Sequence, residues 1–189
     1  MEVIVAGEGL VIRRLRDEPP EYERIARWRN EPHVREWWDP DDPPMTAATA
    51  VAEYRPLTAP GSSTTACIIE AAGRPIGYIQ FYRWADEPDG VRALGFSFAD
   101  DAWGLDVFIG DPSCVGRGIG PKAIDLLCRH LFAERGASSV ELVAAQANTR
   151  SLRAYEKAGF RKGQTVLDTD LKDGQRVESW LMVRYARSR

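Results

Sequence analysis

Leu105-Asp106-Val107-Phe108-Ile109, followed closely by Val115-Gly116-Arg117-Gly118-Ile119-Gly120-Pro121-Lys122, decides how this chain reads. The first block is an apolar run and the second a glycine-rich loop opening an amphipathic segment, so the order is strand, loop, helix N-terminus. Glycines let backbone N–H groups turn toward one point, and the first turn of a helix adds partial positive charge there, which suits a pyrophosphate. An ordinary tight strand-to-helix turn has the same look. The triphosphate loop Gly-x-x-x-x-Gly-Lys-Ser/Thr is excluded, because Lys122 follows Gly120-Pro121 and precedes Ala123. A dinucleotide loop belongs after the first strand, whereas this one lies past the middle of the chain.

Working outward, Leu10-Val11-Ile12-Arg13-Arg14-Leu15 reads as a first strand stopped by Pro19-Pro20. The segment 22–29 has Ile25, Ala26 and Trp28 at helical spacing, and Pro32 opens a short helix carrying His33-Val34-Arg35-Glu36-Trp37-Trp38. After the proline-rich breaker 39–44, Thr46 caps a third helix over 46–54. Ala66-Cys67-Ile68-Ile69-Glu70 and Ile76-Gly77-Tyr78-Ile79-Gln80-Phe81-Tyr82 pair as a hairpin through Ala72-Gly73-Arg74-Pro75. The next strand is 103–109, and the helix from Gly118 lays Ala123, Ile124, Leu127, Leu131 and Phe132 on one face until Gly136. A strand over 139–144, a helix over 148–158 stopped by Gly159, and two closing strands around the turn signal Asp173-Gly174 complete the chain. The expectation is a mixed α/β (α+β) fold with a sheet of about six or seven strands, in a single domain over 1–189.

Composition narrows the chemistry. Cys67, Cys114 and Cys128 form no close pair, and His33 and His130 are far apart, so neither a disulfide framework, a metal site nor a Ser-His-Asp set is expected. Catalysis falls to Asp, Glu or Tyr. A net charge of −3 argues against a nucleic-acid partner. The acids Asp39, Asp41, Asp42, then Asp86, Glu87, Asp89, then Asp100, Asp101, Asp106 read singly as solvated loops and together suit a cationic small-molecule amine. With no long apolar run and an acidic start, Met1-Glu2-Val3-Ile4, neither a membrane partner nor a leader is expected, which implies cytoplasmic residence.

The loop and its setting resemble the Gcn5-related N-acetyltransferases, which carry Gln/Arg-x-x-Gly-x-Gly/Ala between the fourth strand and the following helix. Gly118 and Gly120 match, Val115 stands where the family has Gln or Arg, and Asn148 and Tyr155 fall in the later segment. The resemblance implies a mostly antiparallel sheet whose central strands splay after a bulge in the fourth, with acetyl-CoA as co-substrate in the gap. Its pantetheine arm would pair there like an added strand. Implied cofactor contacts are Val107, Phe108 and Ile109, the loop Val115, Gly116, Arg117, Gly118, Ile119, Gly120, Pro121 and Lys122, and Asn148, Ser151 and Tyr155. Phe108 and Ile109 would supply the edge groups, and a freed N–H near Phe108 would act as an oxyanion donor worth about 3 kcal/mol.

Acetyl transfer to an amine needs a proton for the departing thiolate, and Tyr155 has the acidity to give one without being ionised at neutral pH. Asp106 is costly to bury in an apolar strand without a partner, and a cationic amine would be that partner. As a weak base it suits orienting the amine, with water carrying the proton away. These are the catalytic candidates. Tyr155 also fits a helix tyrosine packed on the sheet, and Asp106 a solvent-facing strand position.

A narrower resemblance runs from about residue 10 to 185. The 33–38 block with its Trp pair, Ile76-Gly77-Tyr78-Ile79-Gln80, Gly104-Leu105-Asp106-Val107-Phe108-Ile109-Gly110, the glycine loop and Arg153-Ala154-Tyr155-Glu156-Lys157-Ala158-Gly159-Phe160 are similar, in that order, to aminoglycoside 6′-N-acetyltransferases. It implies that Trp37 and Trp38 border the acceptor, as aromatic faces beside carboxylates suit an amino sugar. The same resemblance implies that Asp106 binds the amine. Tyr82, Asp100, Asp101 and Trp103 complete the acceptor-side candidates. Thr-Asp-Pro before the Asn is replaced by residues 145–147, Ala-Gln-Ala, which removes one substrate-binding carboxylate and leaves the acetylated position open, for example 2′. Rival readings are a siderophore hydroxylysine N-acyltransferase, which tends to have His in place of Asp106, a protein N-terminal acetyltransferase, and a non-catalytic acyl-CoA-binding module. Monomer and homodimer are both open.

Overall fold

The computed structural model describes residues 2–95, 97–169 and 176–186. Among these residues one sheet of eight strands is formed by β1 Val3–Gly7, β2 Leu10–Arg14, β3 Thr65–Ala71, β4 Arg74–Arg83, β5 Ala102–Ile109, β6 Ser139–Ala145, β7 Arg161–Thr169 and β8 Arg176–Tyr185. Their spatial order is β1-β2-β3-β4-β5-β6-β8-β7, and every neighbouring pair is antiparallel except β5–β6. The helices are α1 Pro19–Arg29, α2 Pro32–Arg35, α3 Ala47–Tyr54, α4 Pro88–Leu94, α5 Ile119–Glu134 and α6 Thr149–Lys157.

The expected mixed, mostly antiparallel sheet is present with one strand more than anticipated. That strand is β1, where the apolar run Val3-Ile4-Val5-Ala6 folds back on β2 through Glu8-Gly9, both at positive φ (55° and 79°), as a two-residue hairpin turn demands. Pro19-Pro20 begins α1 instead of merely ending a strand, since the first helical turn needs no N–H and accepts the fixed proline φ. Thr46 caps α3 as expected, in a reciprocal box with Thr49. The short α4 between β4 and β5 was not foreseen. The turn signal Asp173-Gly174 lies outside the described residues.

Helices cover both faces of the sheet. On one face α1 to α3 bury Tyr22, Ile25, Trp28, Val34 and Tyr54 against Ile68, Tyr78 and Phe108; on the other α5 and α6 bury Ile124, Leu127, Leu131 and Leu152 against Ile12, Ile79, Leu105 and Met182. A fully buried Arg13 ties β2 to α1 and β3 by bonding Glu21 at 2.9 and 3.1 Å and Glu70 at 2.7 Å. Removing either side of this pair would leave a buried charge, at a cost of about 3–5 kcal/mol.

The feature that positions the site is the seam between β5 and β6. They pair only at Ala102↔Ser139 and Trp103↔Val140, while β4–β5 stays in register from Arg83↔Trp103 to Gly77↔Ile109 without a shift. The strands therefore part without the bulge anticipated in β5. Trp84 supplies a physical stop. Its buried indole Nε1 donates to Glu141 O at 3.0 Å, the carbonyl that the Leu105 N–H would take as the next rung of a parallel ladder.

Candidate active site

Alternation of backbone direction determines which groups face the parted seam. Gly110 N donates to Ile76 O at 2.9 Å, so even-numbered residues of β5 bond to β4 and odd-numbered ones face the gap. Beyond the Leu105 N–H opposite Glu141 O, the N–H groups facing the open gap are those of Val107 and Ile109, while the Phe108 N–H and C=O belong to the β4 ladder. The expectation that Phe108 supplies edge groups is corrected accordingly. Ile109 O is also taken, accepting from His33 Nε2 at 2.8 Å. Across the gap, Ala145 O accepts from Asn148 N at 3.0 Å.

A cleft of about 630 Å³ follows this seam. It is lined by Val107, Phe108 and Ile109, by Val115, Gly116, Gly118, Ile119, Gly120 and Pro121, and by Asn148, Ser151 and Tyr155. Gly116 and Gly118 adopt φ of 76° and 74°, which only glycine takes without strain, and α5 starts directly after Gly118. The unpaired N–H groups of its first turn make an anion cradle. Asn148 caps α6, its Oδ1 accepting from Ser151 N at 3.1 Å. Arg117 and Lys122 are exposed beside the loop and do not line the cleft. Glycine φ values, helix terminus and gap-facing amides together fit a pyrophosphate with an amide-bearing arm.

The other end of the cleft is acidic and aromatic. Trp37, Trp38, Asp39, Asp106 and Asp168 line it. Trp38 also packs edge-on against Phe108 (4.9 Å) and Tyr78 (6.1 Å), so it serves as core anchor and cleft wall at once. Asp39, held at φ 48°, is bonded at 2.8 Å by the buried Arg29, whose guanidinium lies 5.5 Å from the Trp38 ring.

Asp106 is half-buried, and Gln80 Nε2 donates to its Oδ2 at 2.8 Å. Burial raises its pKa above the usual carboxylate range, the Gln80 donor works the other way, and the charges of Asp39 and Glu87 add to the rise. Tyr155 is 8% exposed, and burial with the nearby Asp106 charge pushes its pKa up, so it stays a phenol capable of donating. Burial pushes the Cys67 and Cys128 thiols up to about 12, which leaves them inert at neutral pH.

Three acceptor-side candidates lie elsewhere, and a fourth, Tyr82, stands near Asp106 without lining the cleft. Trp103 stands three positions before Asp106, an odd offset, and so faces the α5 core, 5.9 Å from Phe81. Asp100 and Asp101 precede β5 at its closed end, where Asp100 O accepts from Arg83 and Asp101 Oδ1 accepts from Ser138 Oγ at 2.6 Å. Asp101 is thus a staple between the starts of β5 and β6. Tyr82 is half-buried, its pKa raised by burial and by the nearby Asp106 charge, and does not line the cleft; its ring lies against Gly104, where any Cβ would overlap it. Asp39 was read only as part of an acidic cluster, and sequence reasoning missed the roles of Gln80, Asp168 and Arg150, whose guanidinium donates to His33 O at 2.8 Å. A polar residue inside the apolar run 76–82 was the one available signal, for Gln80.

A model of the acetyltransferase (GNAT) domain matches residues 17–167. The chain is 32% identical over 155 residues to aminoglycoside N(6′)-acetyltransferase type 1 of Klebsiella pneumoniae, covering 77% of this chain and 72% of that protein. It is 32% identical over 88 residues to a kanamycin resistance protein of Rhizobium radiobacter, covering 46% and 71%. The structure of AAC(6′)-Ib in complex with ribostamycin and coenzyme A superposes with a TM-score of 0.74 at 27% identity, over 94% of each chain. Among the described residues no helix is long and apolar enough to cross a membrane. With the parted seam, the glycine cradle and these matches, the chain belongs to the GNAT acetyltransferase family, and it is an acetyl-CoA-dependent N-acetyltransferase.

Proposed function

We propose that this enzyme acetylates an amino group of an aminoglycoside, at the 6′ position, and so confers resistance to the drug. The observation that carries the reading is the placing of Asp106 at the parted seam, beside Trp37, Trp38 and Asp39 and close to Tyr155. An amino sugar presents ammonium groups on a rigid ring, which a carboxylate pair and aromatic walls can hold together. Asp39 and Asp168 stand in for the carboxylate absent before Asn148.

In this reading Asp106 binds the ammonium and orients it, and the amine attacks as the free base once its proton has passed to water. The Val107 or Ile109 N–H facing the gap stabilises the oxyanion of the tetrahedral intermediate. Tyr155, kept protonated by burial, gives its proton to the departing thiolate of coenzyme A and is reprotonated, directly or through water, by the proton the acylated nitrogen still has to lose. Arg117 and Lys122, exposed beside the cradle, attract the anionic donor without lining the cleft. We place the reaction in the cytoplasm, with the chain acting as one catalytic domain, monomeric or homodimeric.

Purified protein given acetyl-CoA and kanamycin should release coenzyme A thiol, with NMR of the product locating the acetyl group on the 6′ nitrogen. Tyr155→Phe should lower kcat by a factor of about 100. Acetylation at another amine would overturn the regiochemistry, and no thiol release with kanamycin, ribostamycin or paromomycin would overturn the substrate class.

A further inference from the structure

We propose that Tyr78 and Gln80 are a positioning pair that orients the Asp106 carboxylate and keeps it charged, an inference that rests on Asp106 presenting the acceptor amine. Tyr78, Gln80 and Asp106 share one face of the sheet, because Tyr78 and Gln80 are two apart on β4 and Gln80 is directly opposite Asp106 on β5. Tyr78 is fully buried, stacked on Phe108 at 5.4 Å and edge-on to Tyr54 at 5.2 Å, so its ring cannot turn away. Its hydroxyl donates to Gln80 Oε1 at 2.6 Å, and Gln80 Nε2 donates to Asp106 Oδ2 at 2.8 Å.

The direction of this chain carries the argument. A carboxamide has one accepting end and one donating end. Once the single phenolic proton of Tyr78 takes the oxygen, the nitrogen must face Asp106. The reverse flip would set the amide oxygen against a carboxylate. The ionised carboxylate can only accept and so takes the N–H, while the buried tyrosine, holding the amide oxygen, fixes where that N–H sits, sets the plane of the carboxylate and leaves its second oxygen for the acceptor ammonium.

The same donor governs charge. The groups around Asp106 are Asp39 in the loop after α2, Glu87 just before α4, Tyr78 and Tyr82 on β4, Tyr155 on α6 and Asp168 on β7. Three of them are carboxylates and three are phenols held neutral by burial. Against burial and these acids, Gln80 is the neighbour that stabilises the ionised form.

Two readouts test the pair. A carbon-detected NMR titration of the Asp106 carboxyl group needs no substrate; the acid limb of kcat/KM, measured with acetyl-CoA and kanamycin, reports the same group at work. Gln80→Met removes the donor at similar volume and should move both upward by about one pH unit. Gln80→Glu, which replaces the N–H by a like charge, should move the NMR titration further the same way. Tyr78→Phe should give a smaller upward shift, because the amide then loses the bond that holds its oxygen in place. Acetyl-CoA binding by calorimetry should stay within about twofold of wild type in all three, which separates positioning from unfolding. An unmoved NMR titration in both Gln80 variants overturns the pair. Wild-type turnover by Asp106→Asn instead overturns the reading beneath it, whatever the titration shows.

Discussion

Trp84→Phe tests why β5 and β6 part where they do. Phenylalanine keeps the stacking on Phe98 (4.0 Å, 3°) and the edge contact with Tyr82 (5.2 Å), but it has no N–H for Glu141 O. A buried acceptor left without a donor costs about 1–3 kcal/mol. For a domain of this size that is a fall in Tm of roughly 2–4 °C per kcal/mol, or about 4–8 °C for a loss near 2 kcal/mol. The orphaned carbonyl can recover a partner if β5 closes by one rung onto the Leu105 N–H. That closure narrows the gap, so acetyl-CoA should bind about fivefold more weakly, on the order of 1 kcal/mol. Thermal unfolding followed by circular dichroism and isothermal calorimetry with acetyl-CoA read the two effects. An unchanged Tm would refute the buried bond, and a lower Tm with unchanged acetyl-CoA affinity would refute its control of the gap.

Three further outcomes follow from the site. Gly104→Ala puts a Cβ into the Tyr82 ring and should destabilise by about 1–3 kcal/mol while lowering kcat/KM; a variant as stable as wild type would show that the ring has room. Asp101→Ala removes the acceptor for Ser138 Oγ, so it should lower stability by about 1 kcal/mol and leave the KM for kanamycin unchanged. A raised KM would return Asp101 to the acceptor site. Asp106→Asn should be more stable than wild type at pH 7. The folded pKa of Asp106 is raised above its unfolded value, so the ionised carboxylate is a destabilising group above that folded pKa and a neutral one below the unfolded value, about 4. The gain should therefore shrink to nothing as pH falls toward 4, and equal stability at pH 7 in denaturant titrations would contradict the buried charge.

Much of the site was legible because it is local. Gly116, Gly118, Asn148 and Tyr155 act through caps, positive φ and helix phase, all of which a short window reveals. The Trp103 error was avoidable, since counting by twos from Asp106 puts Trp103 on the opposite face. Asp100 and Asp101 misled because they are near Asp106 in sequence, while an extended strand carries them about 17 Å away toward the closed end. What could not be read was pairing across the chain. Gln80 meets Asp106 through the β4–β5 register, Trp84 meets Glu141 through the sheet order, and Arg150 meets His33 across the cleft. None of these leaves a periodic trace. β1 was missed for another reason: an apolar edge strand of five residues is too short to outweigh its acidic neighbours.

The position of the acceptor amine relative to Asp106 decides the account. A crystal structure of the enzyme with coenzyme A and kanamycin should place the pantetheine arm between β5 and β6, against the Val107 and Ile109 amides, and the 6′ nitrogen within about 3.2 Å of an Asp106 oxygen. Kanamycin bound with every amine beyond reach of Asp106, or β5 and β6 paired along their whole length, would contradict it.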